Sequence, residues 1–214
     1  MMEKAQATHN ILQVHEATNY YDHAAKPELL AQFWGDHTPF VRFFARLRCD
    51  VVLELAAGHG RHVPQYRDKA SRITLVDALE QNIVRCRERF DGDGKIDYYA
   101  NNGVDLSALD DSVYDSVFSY DAMVHFELVD IWGYLQETRR VLQPGGLALF
   151  HHSNYSLYPT NIWTDNPQNR NFMSNAIFTH MADRAGLKVV DQIAMEWGRV
   201  KDLDGLTLLQ RPPL

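Results

Sequence analysis

The sequence predicts an α/β protein in which a parallel sheet is wound on both faces by helices. Three observations predict it. From Val51 onward five short apolar runs alternate with three segments of helical character, the grammar of βαβ units. The first run, in "VVLELAAGHGR" (Val51–Arg61), stops abruptly in a turn of small residues carrying Gly58 and Gly60. After a further helix the chain closes on two more apolar runs. Parallel strands require long crossovers, and helical crossovers cover both faces of the sheet.

The elements follow in order. Residues 1–50 hold no clear strand; "PELLAQFWG" and "TPFVRFFARL" read as helices with Pro27 and Pro39 in their first turns, where proline is pre-organised. They predict an N-terminal helical cap over residues 1–48. The strands are "DVVLEL", "SRITLVDA", "KIDYYAN", "YDSVFSY" and "GGLALFHH", with helices over about 61–70, 78–90 and 129–142 between them. Next comes "SNYSLYPTNIWTDNPQNRNF", polar, aromatic and without periodicity; a connection this long is either functional or mobile. "MSNAIFTHMADRAG" reads as a helix with Ser174 at its N-cap and Gly186 just past its end. "LKVVDQIAMEWG" and "DGLTLLQR" are the closing strands.

A chain of 214 residues with 45% hydrophobic content predicts one domain with a real core. Its parts are the cap (1–48), a ligand-binding core (49–150) and a substrate-side segment with the closing helix and strands (151–214). The net charge of −7 predicts no nucleic-acid partner and no anionic membrane surface, both of which need a basic face. Cys49 and Cys86 are expected to be reduced thiols. No run reaches membrane-spanning length and "MMEKAQATHN" has no apolar core, so a cytoplasmic location is expected. A homodimer is compatible with all of this.

The glycine turn carries the chemistry. Gly58 and Gly60 permit a sharp turn and close approach of a ligand, and ligands of such sheets lie beyond the carboxyl ends of the strands. Asp77 ends the second strand, 19 residues past Gly58, where an acid can accept both hydroxyls of an adenosine ribose. Two adenosine cofactors then compete. A dinucleotide would bring phosphates toward Glu54 and would call for a third glycine where this chain has Val63. S-adenosylmethionine brings a sulfonium and an ammonium, which a carboxylate attracts. Glu54 can also be a strand-end acid paired with Arg61.

"ELAAGHGR", "LVDA", "NNGVDL", "YDSVFSYDAMVHF" and "VLQPGG" together resemble, in order and spacing, the class I S-adenosylmethionine-dependent methyltransferases over about residues 50–150. "FSYDAMVH", "LFHHSN" and "AGLKVVDQIAMEWG" extend a narrower likeness to a bacterial subgroup associated with saccharide or small-molecule O-methylation. The resemblance implies a Rossmann-like, doubly wound, seven-stranded sheet with its last strand antiparallel. It implies that Glu54, Ala56, Gly58 and Gly60 line the methionine end of the cofactor, that Asp77 holds the ribose beside Ala78, and that Asn102 and Gly103 flank the adenine. Ser119 and Tyr120 would lie near the sulfonium. Many relatives carry an acid at the Asn102 position; an amide oxygen can also accept from the adenine amino group.

Methyl transfer to a hydroxyl needs alignment and a base. Candidate bases stand at strand ends: His151 and His152 in "LALFHHSN", and Asp121 with His125 in "SYDAMVH". Neighbours in a strand face opposite ways, so one of His151 and His152 faces the site. Asp121 and His125, four apart, would share a face of a helical turn. Asp121, a histidine and an amide such as Asn154 could also hold magnesium or manganese, although no spacing is diagnostic. The scattered His9, His15, His23, His37, His59 and His62 form no ligand pattern; His59 and His62 flank the glycine turn and could touch cofactor or substrate, or be simple surface histidines. Aromatics interleaved with amides, such as Tyr155, Tyr158 and Trp163, suit a hydroxylated ring. The expected activity is therefore O-methylation of a small molecule, foremost a saccharide. The alternatives are N-methylation of a small molecule and a nicotinamide-dependent oxidoreduction.

Overall fold

The computed structural model describes residues 4–214, with side chains described from residue 7. Residues 1–3 of the expected cap lie outside the described residues.

Seven strands form one sheet in the order β3-β2-β1-β4-β5-β7-β6. They are β1 (Val51–Leu55), β2 (Arg72–Asp77), β3 (Ile96–Ala100), β4 (Tyr114–Ser119), β5 (Leu142–Ser153), β6 (Lys188–Trp197) and β7 (Val200–Gln210). The pairs β1–β2, β2–β3, β1–β4 and β4–β5 are parallel, while β7 runs antiparallel to both β5 and β6. This is the Rossmann-like methyltransferase arrangement expected from the resemblance. The order reverses at β1: the chain first moves outward through β2 and β3, then returns to place β4 on the other side. Neighbouring loops diverge at such a point and leave a crevice.

Helices cover both faces. In the N-terminal region lie α1 (Lys4–Glu16), α2 (Tyr20–Ala24), α3 (Pro27–Trp34) and α4 (Pro39–Phe44). Thr38 caps α4, its Oγ1 accepting from the Val41 amide at 3.3 Å, and Pro39 occupies the first turn. The helix α1 carries no run that announces it: KAQATHNILQVHE is mostly polar, and its apolar stripe is short. The crossovers are α5 (Val63–Tyr66), α6 (Glu80–Arg89), α7 (Leu128–Val141) and α8 (Asn175–Arg184). Ser174 caps α8 by accepting from the Ile177 amide, and Gly186 takes φ +80° past its end, both as read from the sequence.

The helix expected over 61–70 is cut to α5 and a 3₁₀ turn, Arg67–Lys69. The register of β2 requires the chain back at the sheet immediately: the amides of Ser71 and Arg72 already donate to the Asp50 carbonyl. Strand β5 begins at Leu142, three residues before Gly145, and absorbs the Pro-Gly-Gly sequence through a register shift opposite Tyr114 and Ser116.

Alternation along β1 feeds two cores. Val52 packs with Phe40, Phe43, Phe44 and Tyr66 on one face; Leu53 and Leu55 pack with Ile131, Leu135 and Phe178 on the other. Each fully buried Phe or Leu contributes about 1.5–3 kcal/mol. Thus α3 and α4 do more than cap a site: their Phe33, Phe40, Phe43 and Phe44 are core. Cys49 and Cys86 are free thiols in the same core.

Candidate functional site

A cleft of about 980 Å³, mouth included, lies at the carboxyl ends of β1, β2 and β4, at the point where the strand order reverses. Ala56 and Gly58 from the turn after β1, and Asp77 and Ala78 from the end of β2, stand on its wall. Gly58 (φ +56°) donates its amide to Asp77 Oδ2 at 2.8 Å. Asp77 Oδ1 accepts from the Leu79 amide at 2.9 Å and from Asn82 Nδ2 at 3.0 Å. Burial pushes the Asp77 carboxyl up, and these three N–H donors oppose that shift. The acid therefore braces the glycine turn and also faces the cleft. Ala56 takes φ +57° without being glycine, a conformation costing about 1–2 kcal/mol.

Four expected cofactor residues lie elsewhere. Glu54 points to the same face as Val52, because neighbours alternate; it is 1% exposed and does not line the cleft. Tyr66 donates its hydroxyl to Glu54 Oε2 at 2.7 Å, while Oε1 has no partner among the described residues. Burial pushes the Glu54 carboxyl up to about 8, against the Tyr66 bond and Arg61. The site facing a Cβ at Gly60 is filled by Phe90, 2.6 Å away, and Cys86; its freedom serves packing against α6. Asn102 closes its own loop, Oδ1 accepting from the amides of Val104 and Asp105 at 3.0 Å each. Its neighbour Asn101 is the amide on the cleft wall, beside Gly103. Ser119 is fully buried behind Tyr120, which does line the cleft.

Asp121 is the most connected of the candidates. It adopts φ +59°. Its Oδ2 accepts from Arg61 at 2.8 Å and from the Tyr20 hydroxyl, and its amide donates to His151 Nδ1 at 3.1 Å. Burial works against its charge, but Arg61 and the other donors hold the carboxyl below its ordinary range. His125 does not share a helical face with it, since the chain between them forms a 3₁₀ turn, Met123–His125; both still line the cleft. His125 donates Nδ1–H to the Asn169 carbonyl at 2.6 Å, and burial pushes its imidazole down to about 3.

The structure brings neither strand-end histidine to the cleft. His151 and His152 are wholly buried. His151 must carry its proton on Nε2, because Nδ1 accepts the Asp121 amide; that proton goes to Asp204 Oδ2 at 2.8 Å. Arg170 clamps the same carboxylate through Nε at 2.8 Å and Nη2 at 2.7 Å. Burial disfavours the Asp204 charge, yet Arg170 and His151 pull the carboxyl down to about 2. His152 faces the opposite way, stacked on Phe178 at 3.8 Å. It bonds Ser153 O and Thr207 Oγ1, both at 2.8 Å, and burial pushes it down to about 3. The expected alternation is present, but the face shared by His151 is closed by Tyr120 and Trp197 rings.

The N-terminal segment covers the cleft. Tyr21 lies on Gly58, its ring 2.8 Å from where a Cβ would stand. Thr8 of α1 donates to Asp130 Oδ2 at 2.8 Å. Beside the cleft is a second chamber reaching Trp163, Arg170 and Trp197. His15, Tyr20, Asp121 and His125 line both spaces. Among the described residues no group of three or more His, Cys, Asp or Glu side chains is placed to hold a metal. Asn154 is taken up by the Asp202 carbonyl and the Asn175 amide. No described helix is long and apolar enough to cross a membrane.

Residues 53–150 match the family described as "Methyltransferase domain". No curated protein matches the chain. Among solved structures, the PH0226 protein of Pyrococcus horikoshii superposes with a TM-score of 0.69 at 18% identity, covering 92% of this chain and 98% of that one. A chain of the Haloferax volcanii complex between the Trm112 methyltransferase activator and a methyltransferase gives 0.66 at 21% identity, covering 92% and 99%. An S-adenosylmethionine-dependent methyltransferase of Mesorhizobium loti gives 0.65 at 15%, covering 80% and 97%. The family match spans 98 of the 214 residues, and the solved structures share the fold.

Proposed function

We propose that the protein transfers a methyl group from S-adenosylmethionine to a hydroxyl of a small molecule, with saccharides the leading acceptor class. The observation that carries the reading is Asp77: a carboxylate pinned by the Gly58 amide at the wall of a cleft where the strand order reverses. The donor set fits the cofactor. Asp77 would accept the ribose hydroxyls, Ala78, Asn101 and Gly103 would border the adenine, and Ala56 and Gly58 would admit the amino-acid tail. Bound there, S-adenosylmethionine supplies an electrophilic methyl. Glu54, buried behind the turn, would support the wall through Tyr66 without touching the ligand.

The chain's own contribution is alignment and proton management. Asp121, fixed by Arg61, Tyr20 and His151, presents its carboxylate where the two spaces meet. A bound hydroxyl can donate to it, which orients the oxygen. His151 is best read as the group that fixes the Asp121 backbone, and His152 as a packing residue. An amine acceptor would need no base, so N-methylation remains the alternative within the same chemistry.

Calorimetry with S-adenosylhomocysteine and with NAD tests the cofactor. Micromolar S-adenosylhomocysteine affinity that falls in Asp77→Asn is expected. Binding of NAD without S-adenosylhomocysteine would overturn the reading. Methyl transfer into a panel of sugars, phenols and amines tests the acceptor.

A further inference from the structure

Helix α1 places Thr8, Ile11, Leu12 and His15 on the cleft wall. That spacing is one face of a helix. His15, at its end, also opens onto the second chamber. Four residues stand at this junction, and their hydrogen bonds differ sharply. Tyr20 spends its hydroxyl on Asp121, and Asp121 is paired with Arg61. His125 has its Nδ1 committed to the Asn169 carbonyl. The His15 imidazole makes no hydrogen bond to any described residue, although its backbone carbonyl accepts from the Thr18 amide at 3.3 Å. It is held by ring contacts alone, stacked on Trp163 (centroids 5.6 Å apart, planes at 17°) and 4.9 Å from the His125 ring. A half-buried imidazole positioned without using either nitrogen is free to exchange a proton at both.

We propose that His15 is the catalytic base: it takes the proton of an acceptor hydroxyl bound in the second chamber, against Trp163 and beside Asp121. The proposal rests on the methyl-transfer reading and names the residue that completes it. The acceptor oxygen uses a lone pair to form the O–C bond as the C–S bond breaks onto sulfur. Its O–H electron pair stays on oxygen, and the proton passes to an imidazole nitrogen of His15, then to solvent. Both charges bordering the chamber are already paired, Asp121 with Arg61 and Arg170 with Asp204. The acceptor class that fits is therefore an uncharged hydroxylated ring. The groups facing His15 that will shape its titration are Asp121 and His125 after β4, Tyr20 of α2, Arg61 after β1 and Arg170 of the 154–172 segment. Burial lowers its pKa and Asp121 opposes that.

The test uses the full chain with methyl glucoside, phenol and 4-nitrophenol as acceptors. In His15→Gln, kcat with phenol should fall about 10²–10⁴-fold, with S-adenosylhomocysteine affinity within threefold of wild type. The deficit should shrink with 4-nitrophenol, which is ionised near neutral pH and needs no base. Added imidazole should restore part of the rate of His15→Ala. Independently of turnover, phenol or methyl glucoside added to the S-adenosylhomocysteine-loaded protein should shift the His15 imidazole resonances. The proposal is overturned if His15→Gln keeps its kcat, or if its loss is equal for phenol and 4-nitrophenol. It is also overturned if no acceptor shifts His15, or if wild type binds S-adenosylhomocysteine but methylates none of the three. Failure of wild type to bind S-adenosylhomocysteine would instead remove the methyl-transfer reading itself.

Discussion

Arg61 and Asp121 form an ion pair 2.8 Å apart with side chains 11% and 4% exposed, joining the turn after β1 to the turn after β4 across the point where the sheet order reverses. Removing one partner of a buried pair leaves the other charge uncompensated and costs about 3–5 kcal/mol. Arg61→Met and Asp121→Asn should each lower stability by an amount in that range. The double variant should lose much less than the sum, because neither charge remains. Urea unfolding of the four proteins checks this; additive losses would mean that the two side chains do not depend on each other.

Glu54 and Asp77 look equivalent in the sequence, one acid at the end of each strand, but the structure separates them. Asp77→Asn should weaken S-adenosylhomocysteine binding about 10–100-fold, the scale of a lost charge-assisted hydrogen bond, whereas Glu54→Gln should leave it within threefold. Stability should show the reverse contrast. With a folded pKa near 8 against an ordinary 4.5, Glu54 keeps its proton in the folded state while the unfolded chain loses it. Its contribution is fully present below pH 4.5 and is lost as pH rises to 8. Glu54→Gln should therefore gain on wild type by about 1.4 kcal/mol per pH unit across that window. A pH-independent difference would show that Glu54 is ionised in the fold.

The sheet was legible because apolar stretches bounded by small or polar residues mark its strands, and because Gly58 follows β1 and Asp77 ends β2. Side-chain direction was less so. Alternation says that His151 and His152 part ways, but not that Tyr120 and Trp197 close over His151. Nor could it show that Glu54 falls on the face filled by Tyr66. The junction was invisible for a different reason: Arg61, Tyr20, Asp121 and Arg170 are brought together by tertiary packing across more than one hundred positions of chain, and α1 has too weak a stripe to be seen. In the sequence His15 is one more scattered histidine; the position of α1 brings it to the junction.

Ala56 holds a left-handed conformation, φ +57°, at a position where glycine would be unstrained. Relief of that strain exceeds the extra entropy that glycine brings to the unfolded chain. Ala56→Gly should raise stability by up to about 1 kcal/mol, read as a higher melting temperature. Gly58→Ala should do the opposite, since its Cβ would be strained at φ +56° and meet the Tyr21 ring at 2.8 Å. A destabilised Ala56→Gly would show that the methyl's packing outweighs its backbone cost.

His152 provides an acid-sensitive contact far from the cleft. Burial lowers its folded pKa to about 3, while an unfolded histidine titrates near 6.5. As pH falls below 6.5 the unfolded chain takes up a proton that the folded one refuses, so stability is lost down to pH 3 and is then level. The same holds for His125, lowered to about 3 by burial. His152→Gln removes one of these two groups. Subtracting its unfolding free energy from that of wild type should leave a difference that falls by about 1.4 kcal/mol for each pH unit between 6.5 and 3. The stack on Phe178 and the bond to Thr207 are lost at every pH and shift the whole curve without changing that slope. Denaturant titrations at half-unit steps measure it, and parallel curves would mean that His152 is protonated in the folded protein.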